Sequence, residues 1–341
     1  MAKNSFSHRI CLAFCSLILI STASCASNPP TETGQEALLE TNYAGKKILW
    51  VDSYHQGNPW NDGIERGIRK ILDGSEVELR IVHMDTARNT SEGFKQAAGQ
   101  LALERVQEFE PDVLIASDDN AQKYLVVPYI MNMRLPVVFC GVNWDASIYG
   151  YPTTTITGML EVDPVEPLMR ALKDYTRGTQ VAYLSGETET QWKVTENYNQ
   201  RFFDGRMQVH LVKSFDEFKQ QFLLIQEQAD ILITGNYVGI QDWDDAAAQA
   251  FIIDNSRIPT GYVDGYMTPL VLITMGKIPE EQGEYAASVA LKIIAGAQPS
   301  DFPVTTNKQT VLGINLVIAE KLNITFAPSL IKNAEIVYPE Q

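Results

Sequence analysis

Carboxylate, hydroxyl and aromatic side chains recur in short polar segments, each of which follows a run of apolar residues. Aromatic faces beside hydroxyl and carboxylate groups suit stacking on a planar ring, a sugar face or a cation. These segments therefore supply the candidate ligand-binding residues. In chain order the candidates are Ser53, Tyr54, Trp60, Asp85, Ser117, Asp118, Asp119, Asn143, Trp144, Gly186, Trp192, Asn236, Tyr237 and Asp264.

Tryptophan is distributed unevenly with respect to these segments. Of the five tryptophans, Trp60, Trp144, Trp192 and Trp243 lie in or just after them, and Trp50 lies within an apolar run. The distribution favours aromatic contacts with a ligand. The alternative is that each tryptophan packs beneath its own loop, and both interpretations stay open.

The adjacent carboxylates of Asp118 and Asp119 suit an acid–base couple, a cation site or a clamp for an ammonium group. Adjacent residues at a helix start do not face each other, so we expect one to cap the helix and the other to meet ligand. The four histidines lack metal-ligand spacing, and no phosphate-binding glycine loop, Gly-x-Ser-x-Gly elbow or His-Glu-x-x-His motif is present. The sequence predicts a protein that is not an enzyme and has no metal or cofactor. A cell-surface glycoside hydrolase using Asp118 or Asp119 is the alternative.

The elements that must position these residues alternate short apolar runs with longer helical stretches from residue 46 onward. Nearly continuous apolar strands separated by helices indicate parallel strands buried on both faces. The rhythm restarts after Gly158, which predicts an α/β fold of two doubly wound, Rossmann-like lobes joined by a multi-crossover hinge. The expected limits are residues 46–145 plus about 263–305 for the first lobe, and about 155–260 plus 310–341 for the second, with the junction at 141–158. Ligands bind at the carboxyl ends of such strands, where the candidates lie.

The N-terminus has the pattern of an export signal. A basic start, the apolar run at residues 10–20 and the small residues that follow indicate a signal peptide over residues 1–25. The sequence Thr22-Ala23-Ser24-Cys25 resembles a bacterial lipobox, which would make Cys25 the site of lipidation. The alternative is ordinary cleavage after Ala26. Residues 26–45 are predicted to form a flexible tether.

Charge and cysteine usage exclude further classes. The chain has 42 acidic against 27 basic residues, a formal net charge of −15, which disfavours nucleic acid as a partner. Beyond Cys25 the chain has one cysteine, Cys140, inside an apolar run, so we expect a buried thiol and no intramolecular disulfide. We expect a monomer in the periplasm or at the cell surface, anchored as a lipoprotein.

Several local sequences resemble those of one family. They are Ser53-Tyr54-His55 with Trp60, Met84-Asp85-Thr86, and the stretches at residues 111–121, 136–143, 296–303, 315–324 and 328–330. From residue 46 onward the chain resembles the ABC-transporter substrate-binding family of type I periplasmic binding proteins. Similar domains serve as extracellular sensors of bacterial signalling proteins.

The resemblance implies two lobes with three crossovers and a ligand in the cleft between them. Carried over by position, it implies cleft positions for Ser53, Tyr54, Asp85, Ser117, Asp118, Asn143, Gly186, Asn236 and Asp264. One departure is Ala87, which stands where the sensor-like relatives have lysine. If that lysine meets an anionic group in the relatives, the present ligand differs.

Sequence pattern and resemblance together predict an extracytoplasmic solute-binding protein. It would deliver a small ligand, such as an amino acid or a related polar-aromatic solute, to a membrane ABC permease. The alternative is a periplasmic sensor that reports its ligand to a separate membrane histidine kinase or cyclase.

Overall fold

The computed structural model describes residues 43–339. The expected signal peptide, the lipidation site Cys25 and the tether up to residue 42 lie outside the described residues. Tyr43 is 2% exposed, and its carbonyl accepts a hydrogen bond from the Lys46 amide. Tyr43 therefore belongs to the folded body, although it lies in the segment that was expected to be tether.

The first sheet has six strands, and every pairing in it is parallel. Its order is β11-β5-β4-β3-β1-β2. The central strands form because their apolar runs are buried on both faces, as in β3, where all five residues are buried. The strands are β1 (Lys47–Asp52), β2 (Glu78–His83), β3 (Val113–Ser117), β4 (Val137–Asn143), β5 (Ile156–Glu161) and β11 (Thr305–Thr306).

Helices that follow these strands cover the first sheet. Asn58 caps the first helix by accepting hydrogen bonds from the Trp60 and Asn61 amides, and Ser91 caps the second. A nine-residue π-helix contains Pro128, which has no N–H to donate to a regular helical ladder. The helices are α1 (Pro59–Leu72), α2 (Glu92–Phe109), α3 (Asp118–Ala121), the π-helix Gln122–Ile130 and the 3₁₀ helix Ser147–Tyr149.

The second sheet has seven strands in the order β13-β12-β10-β9-β8-β6-β7. Its pairings are parallel except that of β10 with β12. The strands are β6 (Val181–Gly186), β7 (Gln208–Val212), β8 (Ile231–Thr234), β9 (Thr260–Tyr262), β10 (Ile273–Lys277), β12 (Thr310–Asn315) and β13 (Ile336–Tyr338). The remaining α-helices are α4 (Val165–Lys173), α5 (Glu189–Phe202), α6 (Phe215–Gln228), α7 (Asp245–Asn255), α8 (Pro279–Ile294), α9 (Leu316–Lys321) and α10 (Pro328–Asn333). Short 3₁₀ helices lie at Gly265–Met267 and Pro299–Asp301.

The strand order shows where the chain passes between the sheets. It leaves the first sheet after β5, returns after β10 and leaves again after β11, so the crossings fall at residues 162–164, 278 and 307–309. The junction expected at residues 141–158 instead runs from the end of β4 to the start of β5, both in the first sheet. Strand β10, which was expected in the first lobe, joins the second sheet. We therefore propose residues 43–161 with 279–306 as the first lobe, and 165–277 with 310–338 as the second.

Helix α8 belongs to the first lobe because it packs closely against α1. A Cβ added at Gly283 would overlap the Ile64 carbonyl, and one added at Gly67 would overlap the Glu280 carbonyl. Glycine at these two positions lets the helices approach more closely than larger residues allow. The return of α8 after β10 thus ties the second crossing to the core of the first lobe.

Candidate functional site

The carboxyl end of the first sheet holds two buried carboxylates joined by one amide. Asp52 ends β1 and Asp118 follows β3, and they are 0% and 5% exposed. Asn61 Nδ2, on α1, donates to Asp52 Oδ1 and, over 3.0 Å, to Asp118 Oδ2. His83 Nδ1 lies 2.8 Å from Asp52 Oδ2. Adjacent parallel strands bring these residues together because their carboxyl ends meet at one sheet edge.

A lysine from the second sheet meets two acids at the first crossing. Lys277 ends β10, and its Nζ donates to Glu161 Oε1 over 2.6 Å and to Asp163 Oδ1 over 2.7 Å. Nζ also lies 5.5 Å from the centre of the Trp60 ring. The Tyr198 hydroxyl, on α5, donates to Asp163 Oδ2 over 2.8 Å. This cluster therefore contains groups from both lobes and from the connection between them.

The pKa values reflect a site that is both buried and acidic. Burial and the nearby Glu161 raise the pKa of the Asp118 carboxyl well above its usual value, and the Asn61 hydrogen bond offsets this only in part. Burial also raises the pKa of Glu161, with Lys277 opposing it. Burial, Asp118 and Glu161 raise the pKa of the Tyr54 phenol. For Lys277, burial acts against the charged form, but Glu161 and Asp163 outweigh it and raise the pKa.

Two polar atoms at this site are buried without a hydrogen-bond partner among the described residues. They are the Trp60 Nε1 donor and the Asn61 Oδ1 acceptor. Most buried polar atoms in native proteins are hydrogen-bonded, so this unpaired donor and this unpaired acceptor, on consecutive residues of α1, need an explanation. A bound ligand with one acceptor and one donor would satisfy both.

Asp119 faces a different set of partners from Asp118. Asp119 Oδ2 accepts from Asn143 Nδ2 over 2.8 Å, and Asp119 Oδ1 accepts from the Tyr149 hydroxyl over 2.8 Å. The expectation that one of the two carboxylates caps the helix is wrong, because Ser117 occupies the N-cap position and both carboxylates lie in the first turn. Each is held by side chains instead.

Three other candidates of the first lobe are engaged by the protein itself. Ser53 Oγ donates to the Ser117 carbonyl over 2.7 Å and accepts from the Ala121 amide over 2.8 Å. Ser117 Oγ accepts from Trp50 Nε1 over 3.0 Å. Asp85 is half-buried and binds the Arg88 guanidinium through both carboxylate oxygens, at 2.7 and 2.8 Å. Ser53 and Ser117 thus form hydrogen bonds between the carboxyl ends of β1 and β3, and Asp85 is paired with Arg88.

The second-lobe candidates are held by contacts within their own loops. Gly186 lies where a Cβ would overlap the Val238 carbonyl, Asn236 Oδ1 accepts from the Val238 amide, and Asp264 caps the 3₁₀ helix that follows it. Tyr237 stacks on Trp243 with ring centres 5.0 Å apart. These residues organise the loops at the carboxyl end of the second sheet.

The tryptophans divide between the two interpretations. Trp243 packs on Phe215 and Phe218, beneath its loop. Trp144 makes edge contacts with Tyr198 and Phe202 of α5, so it packs on the second lobe. Trp192 is 54% exposed. Trp60 contacts the Lys277 cluster at the lysine itself, and Trp144 contacts it through Tyr198.

Several site residues were missed from the sequence: Asp52, Asn61, Glu161, Asp163, Lys277 and His83. Glu161 and Lys277 are the last residues of strands that the apolar pattern did not reveal. The rule that places binding residues at strand ends would have found both, had β5 and β10 been recognised.

Cys140 is buried and free, as expected, and burial raises the pKa of its thiol. Within residues 43–339, no group of three or more His, Cys, Asp or Glu side chains is arranged to hold a metal ion. Among the helices of the same range, none has both the length and the apolarity that a bilayer span requires.

Residues 264–338 match the family model described as "ABC transporter substrate binding protein". Proteins of that family bind substrates and are in general not enzymes, in agreement with the prediction made from the sequence. A search among curated proteins finds no match.

Solved structures share the architecture at low sequence identity. A substrate binding protein with adhesive properties from Clostridium difficile, in its ligand-free, open form, has a TM-score of 0.62 at 17% identity, covering 87% of this chain and 100% of that chain. An ABC domain from Streptococcus pneumonia in complex with L-Trp has a TM-score of 0.52 at 18% identity, covering 86% of this chain and 99% of that chain. An ABC transporter solute binding protein from Bradyrhizobium sp. BTAi1 with bound bis-tris has a TM-score of 0.50 at 16% identity, covering 84% of this chain and 90% of that chain. The predicted two-lobed α/β fold of type I periplasmic binding proteins is confirmed.

Proposed function

We propose that the protein is an extracytoplasmic solute-binding protein whose ligand carries a protonated amine and an apolar or aromatic body. The observation that carries this is the buried acidic cluster between the lobes. Asp118 and Glu161 lie there with one cation, Lys277, beside the unpaired atoms of Trp60 and Asn61. An ammonium group entering this site gains carboxylate partners, and the Trp60 face suits a ring or a cation.

The charge balance argues for a cationic group on the ligand. Because burial and Glu161 raise the pKa of Asp118, the free protein holds this carboxyl in an environment that favours the protonated form. An ammonium group within hydrogen-bonding distance would stabilise the ionised form. A ligand that carries only a carboxylate would add a negative charge next to Glu161 and Asp118 and would be disfavoured.

The interlobe position supports capture by closure. Asp118 belongs to the first lobe and Lys277 to the second, so a ligand touching both would bind the closed arrangement better than the open one. The same fold occurs in a protein solved in complex with L-Trp. That ligand has the ammonium and aromatic groups that this site suits, which supports an amino acid or a related polar-aromatic solute.

Delivery to a membrane ABC permease is the proposed use of the captured ligand. The match of residues 264–338 to the ABC transporter family favours delivery over reporting to a sensor kinase. We propose a periplasmic or cell-surface location with a lipid anchor at Cys25, on the basis of the N-terminal sequence.

The test is a thermal-shift and calorimetric screen of the chain from Ala26, which retains every described residue. The panel contains amino acids, amines, nucleosides, sugars and organic acids. A ligand at about 100 times its dissociation constant adds about 2.7 kcal/mol of stability. L-tryptophan and indole-3-propionate form a matched pair, because they share the ring and differ in the amine. We expect amine-bearing compounds to bind and their amine-free partners to fail.

Two variants locate the binding. Asp118→Asn removes the ionisable carboxyl and Trp60→Phe removes the buried Nε1 donor, so each should weaken an amine ligand by about tenfold or more. Trp192→Phe, at a side chain that is 54% exposed, is the control and should leave binding unchanged. Preferential binding of an amine-free acid, or full affinity in Asp118→Asn, would contradict the proposal.

A further inference from the structure

The second lobe contains a separate cavity of about 550 Å³ between α4 and the end of α5. It lies over the N-terminal ends of β6 and β8, whereas the interlobe site lies at the carboxyl ends of the strands. The volume falls in the range of small-molecule sites, roughly 300–1,000 Å³. Its apolar surface is formed by Val165, Met169, Val181, Phe202, Phe203 and Ile231.

The rim of this cavity is basic although the chain carries a net charge of −15. Arg170, Lys173, Arg177 and Arg201 line it, against one acid, Glu166. Among the described residues, Lys173 and Arg177 form no ion pair. Glu166 lies 3.8 Å from Arg170 in an exposed pair, which is worth little.

The fourth cation, Arg201, has an aromatic neighbour, and its charge also contributes to the lowered pKa of Asp145. The Arg201 guanidinium lies 5.5 Å from the centre of the Trp144 ring. The residues that line the rim therefore carry more positive than negative charge beside a large apolar surface, and the Asp230 carboxylate lies close to Gly178 of the lining.

We propose that this cavity binds a small amphipathic carboxylate, with its apolar body in the cavity and its carboxylate at the rim. The sign of the rim selects an anion, and the apolar surface selects a hydrocarbon or aryl body. A second cavity of about 370 Å³ continues the groove, sharing Glu166, Arg170 and Phe202, and reaches Asn307 and Lys308 in the third crossing. The groove thus has room for an extended chain. The second cavity also reaches Asp163 of the interlobe cluster, so the proposed carboxylate position is the basic rim of the first cavity, which selects the opposite charge to the cluster.

The experiment is calorimetric titration of the chain from Ala26 with decanoate, decylammonium and acetate, each below its micellar range. Decanoate should bind saturably with a stoichiometry of one, and decylammonium and acetate should not bind at this site. The double variant Arg170→Gln with Lys173→Gln should raise the dissociation constant of decanoate by about tenfold or more. Arg134→Gln, at an exposed arginine of the first lobe, removes a charge without touching the groove and should have no effect.

A second variant, Thr179→Glu, reverses the local charge at an exposed residue of the rim and should also abolish decanoate binding. Decylammonium binding that the Arg170→Gln, Lys173→Gln double variant weakens, or unchanged decanoate affinity in both groove variants, would overturn the proposal. So would binding to anionic vesicles without binding of free decanoate. Decanoate binding that appears only after residues 26–40 are removed would assign the groove to the N-terminal segment instead and would also overturn it.

Discussion

Replacing Lys277 by methionine would test whether the interlobe cluster depends on its single cation. The three side chains of Lys277, Glu161 and Asp163 are 19%, 11% and 16% exposed, and the lysine contacts both acids at 2.6 and 2.7 Å. Methionine keeps an apolar stem near Trp60 and removes the charge. The variant therefore leaves two poorly solvated carboxylates facing each other without a counter-ion.

The expected cost follows from this burial. Removing one partner of a buried ion pair costs about 3–5 kcal/mol, because the remaining charge is uncompensated. In a body of this size a loss of about 3 kcal/mol corresponds to a melting temperature lower by roughly 5 °C. Burial already raises the pKa of Glu161, and loss of Lys277 would raise it further. A carboxyl whose pKa is raised in the folded state destabilises as pH rises through that pKa, so the deficit should shrink on acidification.

The assay is urea unfolding followed by far-ultraviolet circular dichroism, at about pH 8 and about pH 5, because the lower pH favours the protonated form of a carboxyl whose pKa is raised. Lys70→Met is the matched control, because Lys70 contacts Glu284 at the same 2.7 Å but is 70% exposed. An exposed pair contributes about 0–1 kcal/mol, so the control should change little at either pH. Equal losses in the two variants, or a loss in Lys277→Met that does not depend on pH, would refute the reasoning.

Two further substitutions test burial and packing. Asp118→Asn should stabilise the ligand-free protein at neutral pH. Because the folded-state pKa of Asp118 is raised, the wild type loses stability as pH rises above about 4. Melting temperatures measured across pH should show this loss in the wild type and in the exposed control Asp216→Asn, but not in Asp118→Asn. Gly283→Ala should destabilise the protein by about 1–3 kcal/mol in urea unfolding, because the new Cβ would meet the Ile64 carbonyl. Gly93 has open space around it, so Gly93→Ala should be neutral or stabilising by up to about 1 kcal/mol. Comparable stability of the two variants would contradict the close packing of α1 and α8.

The sequence revealed elements with a strong local pattern and missed those whose identity depends on tertiary packing. The bounds of α2 (Glu92–Phe109) and β8 (Ile231–Thr234) agree with the pattern of their apolar residues. Strand β5 was missed because it begins in a Thr- and Gly-rich stretch. Its Gly158 is required by the Phe139 ring and carbonyl, which fill the space of a Cβ. No local signal tells which neighbour will occupy that space.

The missed strands also explain the shifted crossings. Periodicity shows that a segment is a buried strand, but the sheet that it joins depends on contacts with distant strands. β10 pairs with β9 and β12 and so belongs to the second sheet. That pairing carries Lys277 across to Glu161. An interlobe ion pair of this kind cannot be read from a sequence that leaves the sheet assignment open.

Candidates chosen by their position after a strand proved to be of two kinds. Tyr54, Trp60 and Asp118 lie with the Lys277 cluster, whereas Ser53 and Ser117 are hydrogen-bonded to backbone or to Trp50 within the strand ends. Both kinds share polarity and location in the sequence. They differ in whether a hydrogen-bond partner is already present, which depends on geometry at the level of single atoms.

The distribution of charge links the two proposed sites. The acidic cluster lies where the lobes meet, so its repulsion is relieved when a cation arrives, and ligand binding and lobe closure then favour each other. Lys277 supplies part of that relief permanently, which keeps Glu161 and Asp163 close enough for a ligand to complete the set. The basic rim of the groove lies over the N-terminal ends of β6 and β8, whereas the second cavity of the groove reaches Asp163 of the acidic cluster. The acidic cluster between the lobes and the basic rim on the second lobe would each select a ligand by charge, because salt screens the field of each beyond about 8–10 Å.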